Sequence, residues 1–322
     1  MKIAVLMSTF NGHEYLYEQL YSIVNQEVES ENIQIEVYIR DDGSTDGTIA
    51  LIKKVSTEYQ NIHLTNSFEN IGVKMSFFKL VQEINADFYF LSDQDDIWEK
   101  NKVQSFLDIF NNKKKNNEPF GAYSDMWIAD EKGKSTGKLL KHGTSKEPLN
   151  TEYVEFDELM FSNKVTGSSF AFDKLARNQI QSLPENIIQQ SAMHDEIFAM
   201  VIAAKGKLFY ISEPLTYYRQ HKKNVLGYSG IQRLSIKDKL SKLKIVIAGD
   251  MKLMNDIEAT TQLFCTSQTN NLHQLFAAKT ILSQYQFLKA AIQKANSRHR
   301  IQLMVLYLFI LKKWNGNHKY YD

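Results

Sequence analysis

Short apolar runs alternate with amphipathic stretches along the first hundred residues. Ile3-Ala4-Val5-Leu6-Met7, Ile35-Glu36-Val37-Tyr38-Ile39, Ile62-His63-Leu64-Thr65 and Phe88-Tyr89-Phe90-Leu91 have the length and composition of buried strands. Between the first two, Glu14 to Asn25 sets Tyr15, Leu16, Leu20, Ile23 and Val24 at helical spacing, and Ile49 to Tyr59 and Lys74 to Ile84 read as helices too. This β-α-β-α-β-α-β order predicts an α/β fold with a mainly parallel sheet and right-handed crossovers. A further helix is expected over Trp98 to Phe110. The pattern then becomes less regular. Ala122 to Asp125 reads as a strand end, and Asp130 to Pro148 as a mobile Lys- and Gly-rich loop. Thr166 to Phe172 reads as a strand over the site, His194 to Ala204 as a helix and Leu208 to Ile211 as a strand. From about Ile231 the chain is Lys-rich and helical in pattern. A boundary is therefore expected near Gly230, dividing a domain of residues 1–230 from a helical C-terminal region of residues 231–322.

The polar positions that interrupt this pattern fall at strand ends. Ser92-Asp93-Gln94-Asp95-Asp96 follows the fourth strand directly. In open α/β sheets ligands bind at the carboxyl edge of the strands. Clustered acids repel, and a hard divalent cation such as Mg²⁺ or Mn²⁺ is the usual compensation. The alternative is a solvated acidic turn that caps the next helix. Thr9 and Asn11 follow strand one and Asp41-Asp42-Gly43-Ser44 follows strand two. A carboxylate such as Asp41 can accept the imide N–H of uracil or thymine. The same segment also reads as a turn and a helix capped by Asp46 or Thr48. Far downstream, Asp195 is a candidate general base for a sugar hydroxyl, or the polar start of a helix. His221 is a candidate metal ligand through a neutral imidazole, or a plain polar residue.

Composition narrows the function. At 322 residues and 43% hydrophobic, the chain suffices for one large domain with an extension, or for two domains. A net charge of +1 gives no drive toward nucleic acid. The single cysteine, Cys265, excludes an intrachain disulfide and fits a reducing, cytoplasmic compartment. The opening apolar run is read as a first strand rather than a signal segment. No Gly-x4-Gly-Lys-[Ser/Thr] loop is present, which disfavours phosphoryl transfer. Ile301 to Leu311 is nearly continuously apolar between Arg298-His299-Arg300 and Lys312-Lys313-Trp314, and too short to span a bilayer. It suits a helix lying at an anionic membrane surface, at the inner face of the plasma membrane, or one packed on the catalytic domain or a homodimer partner. Lys237 to Lys244 offers a second basic surface.

Taken in order, these motifs resemble the inverting family 2 glycosyltransferases with a GT-A fold, over about residues 1 to 227. Met7-Ser8-Thr9-Phe10-Asn11-Gly12, Arg40-Asp41-Asp42-Gly43-Ser44-Thr45-Asp46-Gly47-Thr48 and Asn70-Ile71-Gly72 look like the family's nucleotide-binding segments. Ser92-Asp93-Gln94-Asp95-Asp96-Ile97-Trp98 is similar to a form of the DxD motif common in bacterial rhamnosyltransferases. Thr166-Gly167-Ser168, His194-Asp195, and Tyr218-Arg219-Gln220-His221 with Asn224-Val225-Leu226-Gly227 fit that subgroup, streptococcal-type enzymes above all. The chain departs from the subgroup in Glu196-Ile197-Phe198 and Lys222-Lys223. The resemblance implies a nucleotide-diphosphate sugar donor, best dTDP-β-L-rhamnose, and a saccharide or lipid-linked acceptor in cell-wall or capsular polysaccharide synthesis. UDP-hexoses and UDP-N-acetylhexosamines are alternative donors, and a non-catalytic sugar-nucleotide-binding assembly protein is the alternative class. It implies base recognition by Asp41 with Thr9 and Asn11 nearby, and ribose or metal contact by Asp93. Asp95 and His221 would bind Mg²⁺ or Mn²⁺, and Asp195 would be the catalytic base. Gly167, His194, Trp98 and Arg219 are implied substrate contacts.

Overall fold

The computed structural model describes residues 1–65, 69–115, 117–140, 153–161, 165–191 and 193–221, with Gln286 and Lys289. Its elements are β1 (Lys2–Thr9), α1 (His13–Val24), β2 (Gln34–Asp41), α2 (Thr48–Glu58), β3 (Ile62–Leu64), α3 (Val73–Glu83) and β4 (Phe88–Ser92). There follow β5 (Ile97–Trp98), α4 (Lys102–Lys113), β6 (Phe120–Ser124), β7 (Trp127–Ala129), β8 (Ser135–Leu139), β9 (Tyr153–Val154) and α5 (Phe156–Phe161). A 3-10 turn at Gly167–Ser169 leads to β10 (Phe170–Asp173), α6 (Lys174–Gln181), α7 (Glu185–Gln190), α8 (His194–Lys205), β11 (Lys207–Ile211) and β12 (Thr216–Arg219). The chain divides into two units, residues 1–154 with 164–228, and residues 155–163 with 229–322. The site described below lies in the first. Of the second, only residues 155–161 and helical positions at Gln286 and Lys289 are described, so the readings for residues 231–322 fall almost wholly outside the described residues.

Eight described strands form one sheet in the order β3-β2-β1-β4-β10-β6-β11-β9. β1 is central and runs parallel to both β2 and β4. Ile3 to Met7 are all fully buried, as expected of a strand covered on both faces. The register sets Thr9 opposite Asp41 and Met7 opposite Ser92, so the three strand ends, and the acids that follow them, meet at one edge. The helices bury the stripes that their spacing announces: Leu16, Leu20 and Ile23 on α1, and Val103, Phe106, Leu107 and Phe110 on α4. Phe106 meets Phe90 of β4 edge-on at 5.2 Å. Each such side chain contributes about 1.5–3 kcal/mol by burial.

Four expectations are corrected at the level of elements. The helix expected from Trp98 begins at Lys102, because Ile97-Trp98 pairs with Thr216-Tyr217 as an edge of a second sheet, β5-β12-β7-β8. Asp96 is consequently not a helix cap: it is fully buried and accepts the backbone N–H of Arg219 at 3.1 Å. Part of the expected loop at Asp130–Pro148 is strand β8, antiparallel to β7; residues 141–148 lie outside the described residues. The segment expected as a strand over the site turns at Gly167–Ser169 and then enters the main sheet as β10, antiparallel to both β4 and β6.

Candidate active site

A cavity of about 610 Å³ opens at the carboxyl edge of β1, β2 and β4. Its wall is built from three directions. The β1 loop contributes Phe10 and Asn11, the β4 loop contributes Asp93, Gln94 and Asp95, and the start of α8 contributes His194 and Asp195. Gly167 and His221 complete it.

The β1 and β2 loops are stapled together. Asn11 has a left-handed backbone (φ 49°), accepts the Thr45 N–H at 2.9 Å, and donates its own N–H to Ser44 Oγ at 2.8 Å. Gln94 clamps the β4 loop to the same place. Its Oε1 accepts the Phe10 N–H at 2.9 Å and its Nε2 donates to the Phe10 carbonyl at 3.1 Å. Gly12 is required beneath it, since a Cβ there would lie 2.1 Å from Gln94 Oε1. The mouth keeps Phe10 49% exposed.

Asp41 does not face this cavity. Its carboxylate is fully buried and saturated: Oδ1 accepts the N–H groups of Gly43 (3.1 Å) and Ser44 (2.7 Å), and Oδ2 accepts the hydroxyls of Thr9 (2.7 Å) and Ser44 (2.6 Å). Thr9 is likewise buried and outside the lining. The cavity wall at this strand end is Asp42, which accepts Arg40, the Ser76 hydroxyl and the N–H groups of Ile71 and Gly72. Adjacent carboxylates at a strand end point to opposite sides, and sequence offered no signal for choosing between them.

Asp95 and His221 are 126 positions apart and meet directly, Oδ2 to Nε2 at 2.8 Å. The imidazole lies on the Tyr15 ring, with centroids 4.7 Å apart. Arg219 holds this arrangement from behind. It is buried and donates to the Asp95 carbonyl, the Glu131 carbonyl and Glu18 Oε2. Arg219 and Trp98 are therefore outside the cavity lining that the sequence assigned them to; Trp98 is buried against Phe90 with the Lys102 ammonium over its ring.

The acidic loop is electrostatically frustrated. Desolvation and the neighbouring Asp96, Asp95 and Asp195 push Asp93 well above the carboxylate range, and burial with Asp95 raises Asp96 to about 7. A buried lysine also lies near them, and sequence reading missed it. Lys102 is fully buried, donates to the Ser168 carbonyl (2.5 Å) and Thr216 Oγ1 (2.8 Å), and is held well below the normal lysine range by desolvation. Its one signal was a lysine adjoining the apolar stripe of α4, six positions after the last acid. Among the described residues no three His, Cys, Asp or Glu side chains converge as a ready metal site. The donor chemistry nonetheless fits a hard divalent ion: a carboxylate and an imidazole in contact, and a further carboxylate on the same wall, with positions left for phosphate oxygens.

Asp195 sits in the first turn of α8, where the helix dipole favours negative charge. Oδ2 accepts the Gly167 N–H at 2.8 Å and Oδ1 accepts the Glu196 N–H at 2.7 Å. These bonds fix a carboxylate at the cavity wall. His194 beside it is buried, stacked on Phe77 at 4.0 Å, and burial lowers its pKa to about 4.

Comparison with known proteins agrees with this architecture. Residues 4–154 match the model of Glycosyl transferase family 2. A dTDP-rhamnosyl transferase of Shigella flexneri, RfbG, is 28% identical over 253 residues, covering 74% of this chain and 78% of that protein. Among solved structures, residues 1–349 of S. aureus TarS with UDP-GlcNAc superpose with a TM-score of 0.54 at 16% identity, over 98% of this chain and 92% of that one. A Pyrobaculum calidifontis mannosyltransferase solved with GDP-Man and Mn²⁺ gives 0.54 at 12%, over 98% and 83%. The fold is that of the GT-A glycosyltransferases. Among the described residues no helix is long and apolar enough to cross a membrane.

Proposed function

Since this chain is a glycosyltransferase with a family 2 domain at residues 4–154, we propose that it transfers L-rhamnose from dTDP-β-L-rhamnose to a saccharide or lipid-linked saccharide hydroxyl, with inversion. The observation that carries the reading is that Asp195, Asp93, Asp95 and His221 line one cavity. That arrangement suits one in-line displacement. The acceptor hydroxyl loses its proton to Asp195 as its oxygen bonds to the anomeric carbon. The bond from that carbon to the diphosphate oxygen breaks on the opposite face, and dTDP leaves. Two backbone N–H groups hold the Asp195 carboxylate in place, so little reorganisation precedes proton transfer. Asp95 and His221, with Asp93, would hold Mg²⁺ or Mn²⁺, which supplies charge neutralisation to the diphosphate. Asp42 and Phe10 border the region for the base, while Asp41 with Thr9 and Asn11 acts through loop geometry. The rhamnosyl donor is supported by the name of the Shigella relative.

Thermal shift with Mn²⁺ against dTDP-rhamnose, UDP-glucose, UDP-galactose and UDP-GlcNAc tests the donor, because ligand binding stabilises only the folded state. The largest shift is expected for dTDP-rhamnose. Asp195→Asn should bind the same donor and lose about 10²–10⁴-fold in transfer rate. Full transfer by that variant would remove Asp195 from the role of base.

A further inference from the structure

Both ends of the acidic loop between β4 and β5 are tied to α1 by polar side chains. Gln19 and Ser22, three positions apart, share one side of that helix, and Gln26 follows just past its end. Gln19 Nε2 donates to Ser92 Oγ at 2.7 Å, where the loop begins. Ser22 Oγ accepts the Trp98 N–H at 3.1 Å, where it ends. Gln26 donates to the Glu99 carbonyl at 2.8 Å and accepts the Val103 N–H at 2.9 Å, at the start of α4.

Gln19 is the costly member of this set. It is fully buried, as Leu16, Leu20 and Ile23 of the same helix are, and an apolar side chain of its length would need no partner there. Its amide acts on the acids through one relay. Ser92 Oγ is buried and has a single proton; because it accepts from Gln19, that proton goes to the Asp93 carbonyl at 3.0 Å. Neither Gln19 nor Ser92 lines the cavity. The middle of the loop is held separately, by Gln94 on Phe10 and by Arg219 on the Asp95 carbonyl. Asp93 is repelled by Asp96, Asp95 and Asp195, so a loop released at its first residue relaxes away from its neighbours.

Resting on the glycosyltransferase reading, we propose that Gln19, through Ser92, is a positioning residue that holds the backbone at Asp93 in the geometry from which the acidic loop takes up a divalent ion together with the diphosphate. It touches neither ion nor substrate; it removes the cost of gathering the acids when they bind.

The test is calorimetry of dTDP binding in EDTA and in Mn²⁺, the ratio of the two constants being the Mn²⁺ enhancement. Gln19→Met keeps the side-chain length and drops the amide. Ser92→Ala breaks the same link from the other side. Ile23→Val perturbs the core of the same helix without touching the link, and folding is checked by melting. All variants should bind dTDP in EDTA within about twofold of wild type, whereas the enhancement should fall about tenfold in Gln19→Met and in Ser92→Ala. The double variant should lose no more than either single one, since both remove one link. Ile23→Val should melt lower and keep the full enhancement. Should Gln19→Met not fold, Ser92→Ala against Ile23→Val decides. Wild-type enhancement in either single variant, or losses that multiply in the double variant, would overturn the proposal alone. A wild type that binds dTDP without any Mn²⁺ enhancement, or does not bind it, would instead overturn the metal or the functional reading, and this one with it.

Discussion

His194 makes a prediction about stability that needs no substrate. In the unfolded chain its imidazole titrates near 6.5, whereas in the folded protein burial holds it at about 4, with Asp195 opposing and Lys74 adding to the effect. The folded pKa is the lower one, so the unfolded chain binds more protons between the two values. Stability is therefore full above pH 6.5 and is lost as pH falls toward 4. The gap corresponds to about 3 kcal/mol at roughly 1.4 kcal/mol per pH unit. Between pH 7.5 and pH 5.0 about 2 kcal/mol of it should already be gone. For a unit of this size that is roughly 4–8 °C of melting temperature. Other groups titrate in the same range, so the assay is a difference. Melting curves of wild type and His194→Phe are recorded at both pH values, and the extra pH-dependent loss in wild type is read out. The variant, having no imidazole to protonate in the unfolded state, should lose about 2 kcal/mol less. Equal losses in the two proteins would show that the ring is solvated and charged in the folded state, and would refute the reasoning.

Four further outcomes follow from the geometry. Asp41→Asn keeps an oxygen for the two backbone N–H groups and turns an amide N–H₂ toward the Thr9 and Ser44 hydroxyls, which can rotate to accept it; the loss of a charged acceptor should cost about 1–3 kcal/mol, measured by urea unfolding, and an undiminished midpoint with weakened dTDP binding would return Asp41 to base recognition. Lys102→Met strands the Ser168 carbonyl, the Thr216 hydroxyl and the nearby acids, and should destabilise by about 3–5 kcal/mol in the same assay. Gly12→Ala must displace Gln94 from Phe10, so nucleotide affinity should fall several-fold in calorimetry while the fold melts within a few degrees of wild type. Removing divalent ions with EDTA should suppress transfer, with recovery on adding Mn²⁺; transfer that persists in EDTA would dismiss the metal reading of Asp95 and His221.

The order of elements, and the edge at which the chemistry gathers, were legible in the sequence because both are local. An apolar run of four residues followed by acids can only deliver those acids to the carboxyl end of its own strand. Asp93 and Asp95 therefore reached the cavity as read, and so did Asp195, at the start of a helix whose span was also read. What failed were statements about partners and sides. Asp41 and Asp42 are neighbours in the chain and both are held by internal donors, yet only Asp42 lines the cavity. Trp98 and Arg219 carry functional-looking side chains that the core uses up. β10 enters a parallel sheet backwards between β4 and β6, about eighty and fifty residues upstream, and no local pattern announces that pairing. Hydrophobic periodicity reports which face of an element is buried. It carries no information about which donor, 30 or 120 residues away, arrives to satisfy a given carboxylate. Only the folded chain decided which polar groups were spent on holding the loops, and which, like Asp95 and Asp195, were brought to the cavity wall.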